Sequence, residues 1–297
     1  MTNQYVKQDP RSQYPTITPA KDTQPEPGLD ADLKPGADHG QSTYEGAGRL
    51  NGRKALITGG DSGIGHAVAL AYAREGADVA IAYLPDEEKD AAEVVREIEA
   101  SGRMAVAIPG DLTRETYAKE LVAKATGTLG GLDILVNNAG KQVSVESLED
   151  LSTEQLVDTF TVNVFAMFWL TKAAMKYLTP GACIINTTSI QAYEPSPDKV
   201  DYAATKAAIA NFTKGMSMQL APKGIRVNGV APGPIWTPLQ PSQGQQSDKL
   251  PEFGKDTPLG RAGQPAELAG AYVFLASQES SFVTGQIIGV TGGDFIA

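Results

Sequence analysis

Tyr202 followed four residues later by Lys206, with Ser189 thirteen residues upstream, is a set of side chains able to manage a proton. At i and i+4 the phenol and the ammonium share one face of a helix, so the cation can draw the tyrosine toward its anion. An unperturbed phenol titrates near ~10, too high for a general base at neutral pH, which gives the lysine a chemical task. A Tyr-x-x-x-Lys pair alone is also common on solvated helices, where the lysine stem packs along the ring. A second motif separates the two cases: the glycine-rich run Thr58, Gly59, Gly60, Asp61, Ser62, Gly63, Ile64, Gly65. Between a strand and a helix, such a turn lets the backbone approach a pyrophosphate, whose charge the helix amino terminus favours. A dinucleotide site beside a proton-handling tyrosine is the equipment of hydride transfer. The spacing Gly59-x-x-x-Gly63-x-Gly65 is not G-x-G-x-x-G, and His66 stands where a P-loop needs lysine, which argues against nucleoside triphosphates. A tight β–α connection with no ligand would also use these glycines for packing.

Placing these residues requires a strand-turn-helix frame. Short β-branched runs near 54–60, 78–84, 105–110, 132–138, 182–189, 226–231 and 286–291 alternate with helical patterns, the rhythm of a parallel sheet covered on both faces. Ile64, Ala67, Val68, Ala71 and Tyr72 recur at helical spacing, so the glycine turn opens a helix. Two longer helical stretches span 152–178 and 199–221. The expected α/β fold is one doubly wound Rossmann domain with a seven-stranded parallel sheet, order 3-2-1-4-5-6-7, over residues 50–297. Residues 1–49 are rich in Pro, Gln, Asp and Gly and poor in aliphatic side chains, too little to offset chain entropy alone. They are expected to be disordered, or to form an arm laid over the domain or a neighbouring subunit, with Tyr44 and Leu50 as anchors.

Composition narrows the partners. The chain has 297 residues, 41% of them hydrophobic, enough for a sizeable core. Its net charge is −10 with no block of Lys and Arg, which argues against nucleic acid and anionic membranes. Cys183 is the only cysteine, so no internal disulfide forms, and its apolar neighbours predict a buried thiol. No apolar run approaches the ~18 residues of a membrane span, and a cytoplasmic location is expected. His39 and His66, the only histidines, suggest no ligand cluster, so no metal is expected.

The glycine turn, Asn137-Asn138-Ala139-Gly140, Asn163, Ser189, Tyr202-x-x-x-Lys206 and Pro232-Gly233-Pro234-Ile235 occur in the order and spacing of the short-chain dehydrogenase/reductase family, which residues 50–297 resemble. The proline-rich tail and the Gly-Gly-Asp-Ser-Gly-Ile-Gly turn are similar to the bacterial branch of glucose/ribitol dehydrogenase-like enzymes and aldehyde reductases. The resemblance implies reversible hydride transfer between NAD or NADP and a secondary alcohol, polyol, ketone or aldehyde. Tyr202 would be the acid/base, Ser189 would hold the substrate oxygen, and Lys206 would lower the tyrosine pKa and bind the nicotinamide ribose. Asn163 would hold a water that relays protons; as a bare sequence feature it is also a structural cap or bulge. Gly59, Asp61, Ser62, Gly63, Ile64 and Gly65 would cradle the cofactor phosphates. Tyr83, Leu84, Asp111, Leu112, Asn137, Asn138, Ala139 and Gly140 would line the adenosine side. Asp111 could equally cap the helix starting near Arg114. Pro232, Gly233 and Ile235 would meet the carboxamide and Thr237 the phosphates, with residues 237–260 as a mobile lid. Asp61 stands where NADP-preferring relatives carry a cation, so NAD is expected over NADP, unless Arg103 or Lys54 reaches the site. Relatives commonly form tetramers, and the apolar stretches 164–170 and 271–275 fit a homotetramer. Two other readings use related parts: a dinucleotide-sensing regulator, which needs no full Asn, Ser, Tyr and Lys set, and a nucleotide-sugar epimerase or dehydratase, which normally adds a larger substrate domain.

Overall fold

Buried on both faces, strands of a parallel sheet read as continuous apolar runs, and Ala55-Leu56-Ile57 and Cys183-Ile184-Ile185 are such runs, fully or almost fully buried. The structure is a computed structural model describing residues 3–296; positions 1, 2 and 297 of the expected tail and domain lie outside the described residues. Its strands are β1 (Lys54–Thr58), β2 (Asp78–Tyr83), β3 (Ala105–Pro109), β4 (Ile134–Asn137), β5 (Cys183–Thr187), β6 (Arg226–Pro232) and β7 (Ile287–Val290). They form one seven-stranded sheet in the order β3-β2-β1-β4-β5-β6-β7, every pair parallel. Thr58 aligns with Ala82, and Asn137 with Asn186, so the carboxyl ends of the central strands finish together. The strand order reverses beside β1, which places a crevice at that edge.

Helices α1 (Gly63–Arg74), α2 (Glu88–Ala100) and α7 (Ala266–Ala276) cover one face through Val68, Tyr72, Val94, Ile98, Leu268 and Tyr272. Helices α3 (Glu115–Leu129), α5 (Ala166–Ala174) and α6 (Val200–Leu220) cover the other through Leu121, Leu170 and Leu220. The stretch expected as one helix over 152–178 is divided: α4 (Thr153–Phe160) passes through a π turn, Thr161–Phe165, into α5. The π turn adds a residue to the helical ladder, a distortion that apolar periodicity does not reveal. Cys183 is buried, as expected, and burial pushes its thiol up to about 11.

The described part of the tail is an arm lying on this same chain. Tyr44 and Leu50 anchor it as expected: the Tyr44 hydroxyl donates to Glu75 Oε1 at 2.6 Å, and Leu50 is fully buried. Arg49 pairs with the same carboxylate at 2.7 Å. Three further anchors, Tyr14, Ile17 and Leu33, are buried too. Ile17 and Leu33 need no core of the arm's own, because Trp236, Leu250 and Phe253 complete a small apolar cluster around them. Trp236 Nε1 donates to the Pro35 carbonyl at 2.6 Å, and Gln24 N donates to the Pro241 carbonyl at 3.0 Å. The arm thus packs against the segment expected as a lid.

Candidate functional site

Across the carboxyl ends of the strands runs a cleft of about 1070 Å³. One wall is the glycine turn. Gly59 and Gly63 adopt φ of +60° and +50°, which side-chain-bearing residues rarely take. A Cβ on Gly65 would lie 1.8 Å from the Gly59 carbonyl oxygen, so Gly65 serves the close packing of α1 on β1 and does not line the cleft. Asp61, Ser62, Gly63 and Ile64 line it, and so do Tyr83, Leu84, Asp111, Leu112, Ala139 and Gly140.

Asn137 departs from expectation. Its side chain is turned away from the cleft into the sheet, where Nδ2 donates to Asn186 Oδ1 at 2.8 Å. It occupies the last position of β4, and the strand's two-residue alternation sends its side chain inward. Asn138 lines the cleft but its amide also holds the frame, donating to the Thr58 and Gly59 carbonyls at 3.1 and 3.0 Å. Asp111 does not cap α3: it closes its own turn by accepting from Thr113 N at 2.8 Å.

Beyond β5, Ser189 begins a short 3-10 turn, its Oγ accepting from Gln191 N at 3.1 Å. That bond uses a lone pair and leaves the hydroxyl proton free to be donated. Tyr202 and Lys206, one turn apart on α6, line the same cleft and are 7% and 3% exposed. Lys206 Nζ lies 5.2 Å from the centre of the Tyr202 ring and donates to the Thr187 carbonyl at 3.1 Å. Burial pushes the tyrosine up to about 12, opposed by a hydrogen bond with Ser189, and pushes the lysine down to about 8. Contrary to expectation the phenol beside Lys206 is raised, not lowered, because burial decides it, so it is protonated at neutral pH while the lysine remains largely a cation.

Asn163 sits in the π turn and is buried. Its Oδ1 accepts from Lys141 N at 2.7 Å, while Nδ2 donates to the Lys141 carbonyl at 2.9 Å and to Thr205 Oγ1 at 3.0 Å. The amide thus fixes the backbone after β4. A Cβ on Gly140 would stand 3.4 Å from Lys206 Nζ and 3.5 Å from Asn163 Oδ1, so this glycine keeps the floor beside the lysine low. Pro232, Gly233, Ile235 and Thr237 line the far wall.

The electrostatics behind the expected cofactor preference differ in two ways. Asp61 is 1% exposed with both carboxyl oxygens unpartnered, and burial, then the Glu87 charge, raises its pKa well above the ordinary value. It therefore does not supply the solvated negative charge that the expectation assumed. Nor do Arg103 and Lys54 reach the cleft. Arg103 pairs with Asp78 at 2.7 Å and Lys54 donates to the Gly130 carbonyl at 3.1 Å, both at the opposite end of the sheet. Among the described lining residues the cations are Lys141, Lys199, Lys206 and Lys249, none of them at the β2 end beside Leu84.

Sequence reasoning also missed Glu26, Pro27 and Gly28, which bring the arm into the cleft wall. Glu26 pairs with Lys141 at 2.8 Å, and a Cβ on Gly28 would stand 2.7 Å from the Pro238 carbonyl oxygen. A single glycine in a polar tail carries no sign of so close an approach. His39 and His66, far apart in sequence, also meet: they stack on each other beside Asp30.

A turn stripped of side chains at a helix amino terminus, a long cleft and a buried lysine with two N–H groups uncommitted fit a dinucleotide. Comparison with known proteins agrees. Residues 59–294 match the family described as Enoyl-(Acyl carrier protein) reductase. The chain belongs to the short-chain dehydrogenase/reductase family. It is 59% identical over 288 residues to the uncharacterized oxidoreductase YghA of Escherichia coli (strain K12), covering 97% of this chain and 98% of that one. Over 283 residues it is 43% identical to the glucose and ribitol dehydrogenase of Daucus carota, covering 94% and 97%. A short-chain dehydrogenase from Burkholderia cenocepacia, solved in complex with NADP, superposes with a TM-score of 0.76 at 37% identity, covering 82% of this chain and 98% of that one. As an oxidoreductase of this family, the chain has the fold and strand order its sequence implied. Among the described residues no helix is long and apolar enough to cross a membrane.

Proposed function

We propose that this oxidoreductase transfers hydride between a nicotinamide cofactor and the carbon of a small secondary alcohol, polyol, ketone or aldehyde, with Tyr202 as acid/base. The observation that carries this reading is the convergence of Ser189, Tyr202 and Lys206 on the cleft that the glycine turn opens. A bound nicotinamide would supply or accept the hydride; the chain's own residues manage position and proton. Ser189, whose hydroxyl otherwise meets Tyr202, donates its O–H to the substrate oxygen. In reduction Tyr202, protonated because burial holds it high, gives its proton to that oxygen and is left as the phenolate; in oxidation the phenolate takes the proton of the alcohol. Lys206 stabilises the phenolate and offers its remaining N–H groups to the ribose hydroxyls. Asn163 lies behind Gly140 and outside the cleft lining, and its oxygen keeps one lone pair suited to a relay water. A dinucleotide-sensing regulator or an epimerase gains no support from the site or from the relatives.

The NAD preference now rests on the absence of Lys and Arg from the described lining at the β2 end, because a 2′-phosphate there would meet no cation. The Burkholderia relative's NADP weighs the other way. Purified protein mixed with NADH or NADPH and a panel of carbonyls tests both statements. We expect oxidation of NADH with higher kcat/KM than NADPH, and Leu84→Arg, at an exposed lining position, to move that ratio toward NADPH by about ten- to a hundredfold. No turnover with any carbonyl or alcohol would overturn the activity; a wild type preferring NADPH would overturn only the cofactor choice. A homotetramer is also part of this reading. Phe165, Phe168 and Met218, respectively 44%, 49% and 73% exposed, offer apolar surface on the π turn, α5 and α6.

A further inference from the structure

The arm does more than lie on the domain: part of it crosses the cleft. It leaves the apolar cluster of Trp236, Leu250 and Phe253 at Ile17 and returns to that same cluster at Leu33. Residues 18–32 therefore form a loop whose two ends are held in one place, the geometry of an Ω-loop. Between the anchors only Pro19 and Gly28 are buried.

The grip of this loop on the rest of the molecule is polar. Gln24 N donates to the Pro241 carbonyl at 3.0 Å, Glu26 pairs with Lys141 at 2.8 Å, and Asp30 Oδ2 accepts from Gly63 N at 2.9 Å. These partners follow β6, β4 and β1, so residues 24–30 bridge three of the segments that enclose the cleft, and Glu26, Pro27 and Gly28 form part of its lining. A Cβ on Gly28 would stand 2.7 Å from the Pro238 oxygen and 2.9 Å from Ser242 Cβ, so the loop is seated on the segment expected as a lid with no space beneath it. One end is firmly tied. Ser62 makes no side-chain cap bond at the start of α1, and Asp30 supplies one instead, itself held by His39 Nε2 at 2.9 Å and, through its own N–H, by Asp90 at 2.6 Å.

We propose that residues 18–29 are a strap gating the cleft, which lifts off the lid and Lys141 each time a dinucleotide enters or leaves while Ile17 and the Asp30–Leu33 end stay fixed. The proposal rests on the reading of the cleft as a nicotinamide-dinucleotide site. A stretch with few buried apolar contacts and partly exposed polar ones opens at low cost, and its opening makes cofactor exchange a conformational step. Such a gate has a kinetic signature. With the strap closed over both the empty and the filled cleft, loosening it speeds entry and exit by the same factor and leaves the Kd where it was. A fixed wall that touches the cofactor behaves otherwise, because its loss raises koff and Kd together and leaves kon alone.

Stopped-flow NADH fluorescence on the full chain reads both rates, kon from mixing and koff from a chase with excess NAD. Gly28→Val, whose side chain has no space over Pro238, should raise kon and koff alike by about ten- to a hundredfold, with a Kd within about twofold of wild type. Glu26→Gln, which removes one partly exposed ion pair, should raise both by up to about fivefold. Rates unchanged in both variants overturn the proposal, and so does a koff that rises with Kd at constant kon. Should Gly28→Val fail to fold, Glu26→Gln decides on the same two rates. Binding is read without turnover, so unchanged rates refute the strap and leave the hydride-transfer reading intact, whereas a wild type that binds neither NADH nor NADPH overturns both.

Discussion

Gly65→Ala and Gly127→Ala make the same chemical change in two helices, and the structure assigns them opposite signs. At Gly65 the new methyl would stand 1.8 Å from the Gly59 oxygen and 2.7 Å from Asn138 Nδ2. Relief to an ordinary contact of 3.4 Å needs a displacement of about 1.6 Å, against backbone and not a flexible side chain. Overpacking of this kind costs about 1–3 kcal/mol. The shift also threatens the two Asn138 hydrogen bonds to Thr58 and Gly59, each worth about 0.5–1.5 kcal/mol. Together these come to about 2–6 kcal/mol, or a fall in Tm of roughly 4–24 °C for a domain of this size. The turn itself must move, so the Kd for cofactor should rise more than tenfold. At Gly127, in α3, nothing lies within 4 Å, and alanine there should stabilise by about 0.5–1 kcal/mol through helix propensity. Thermal melts with and without NADH, alongside fluorescence titration, read both variants. A Gly65→Ala protein with wild-type Tm and cofactor Kd would refute the claim that this glycine is required by backbone contact.

Two further outcomes follow from the charges. Lys206→Ala should weaken cofactor binding as well as lower kcat, the binding part by about ten- to a hundredfold for a lost charge-assisted contact; an unchanged cofactor Kd by titration would remove the ribose contact from the account. Burial pushes Glu75 up, but Arg49, Tyr44 and the Arg49 and Ala47 N–H groups outweigh it and hold the carboxyl down to about 2, from 4.5. Its contribution to docking the arm is therefore complete above pH 4.5 and lost as pH falls toward 2. Limited proteolysis of the arm by an acid protease should accelerate through that window, and Glu75→Gln should flatten the dependence; an arm equally resistant at both ends would contradict it.

The sheet was legible because every strand had its own β-branched run and every crossover a helical period, and a parallel order follows from that alternation. The meeting of Ser189, Tyr202 and Lys206 at the cleft was legible because Tyr202 and Lys206 share a helical face and Ser189 follows a strand. Asn137 misled because it shares a motif with Asn138, and only the pleat separates an inward amide from one at the cleft. Asp61 misled because a sequence records a carboxyl but not its burial. The arm was least legible. Ile17 and Leu33 are scattered singly, and their partners Trp236 and Leu250 are more than two hundred residues away in the chain. The histidine pair was hidden for the same reason, one ring belonging to a segment that looked structureless.

The central claim is that Tyr202 moves the proton while the rest of the cleft holds cofactor and substrate. Tyr202→Phe removes the hydroxyl and keeps the ring beside Lys206, so steady-state kinetics on a confirmed carbonyl substrate, paired with an NADH titration, tests it most directly. The account predicts an unchanged cofactor Kd and a kcat lower by about 10²- to 10⁴-fold. A Phe variant that binds cofactor normally and turns over at near the wild-type rate would contradict it.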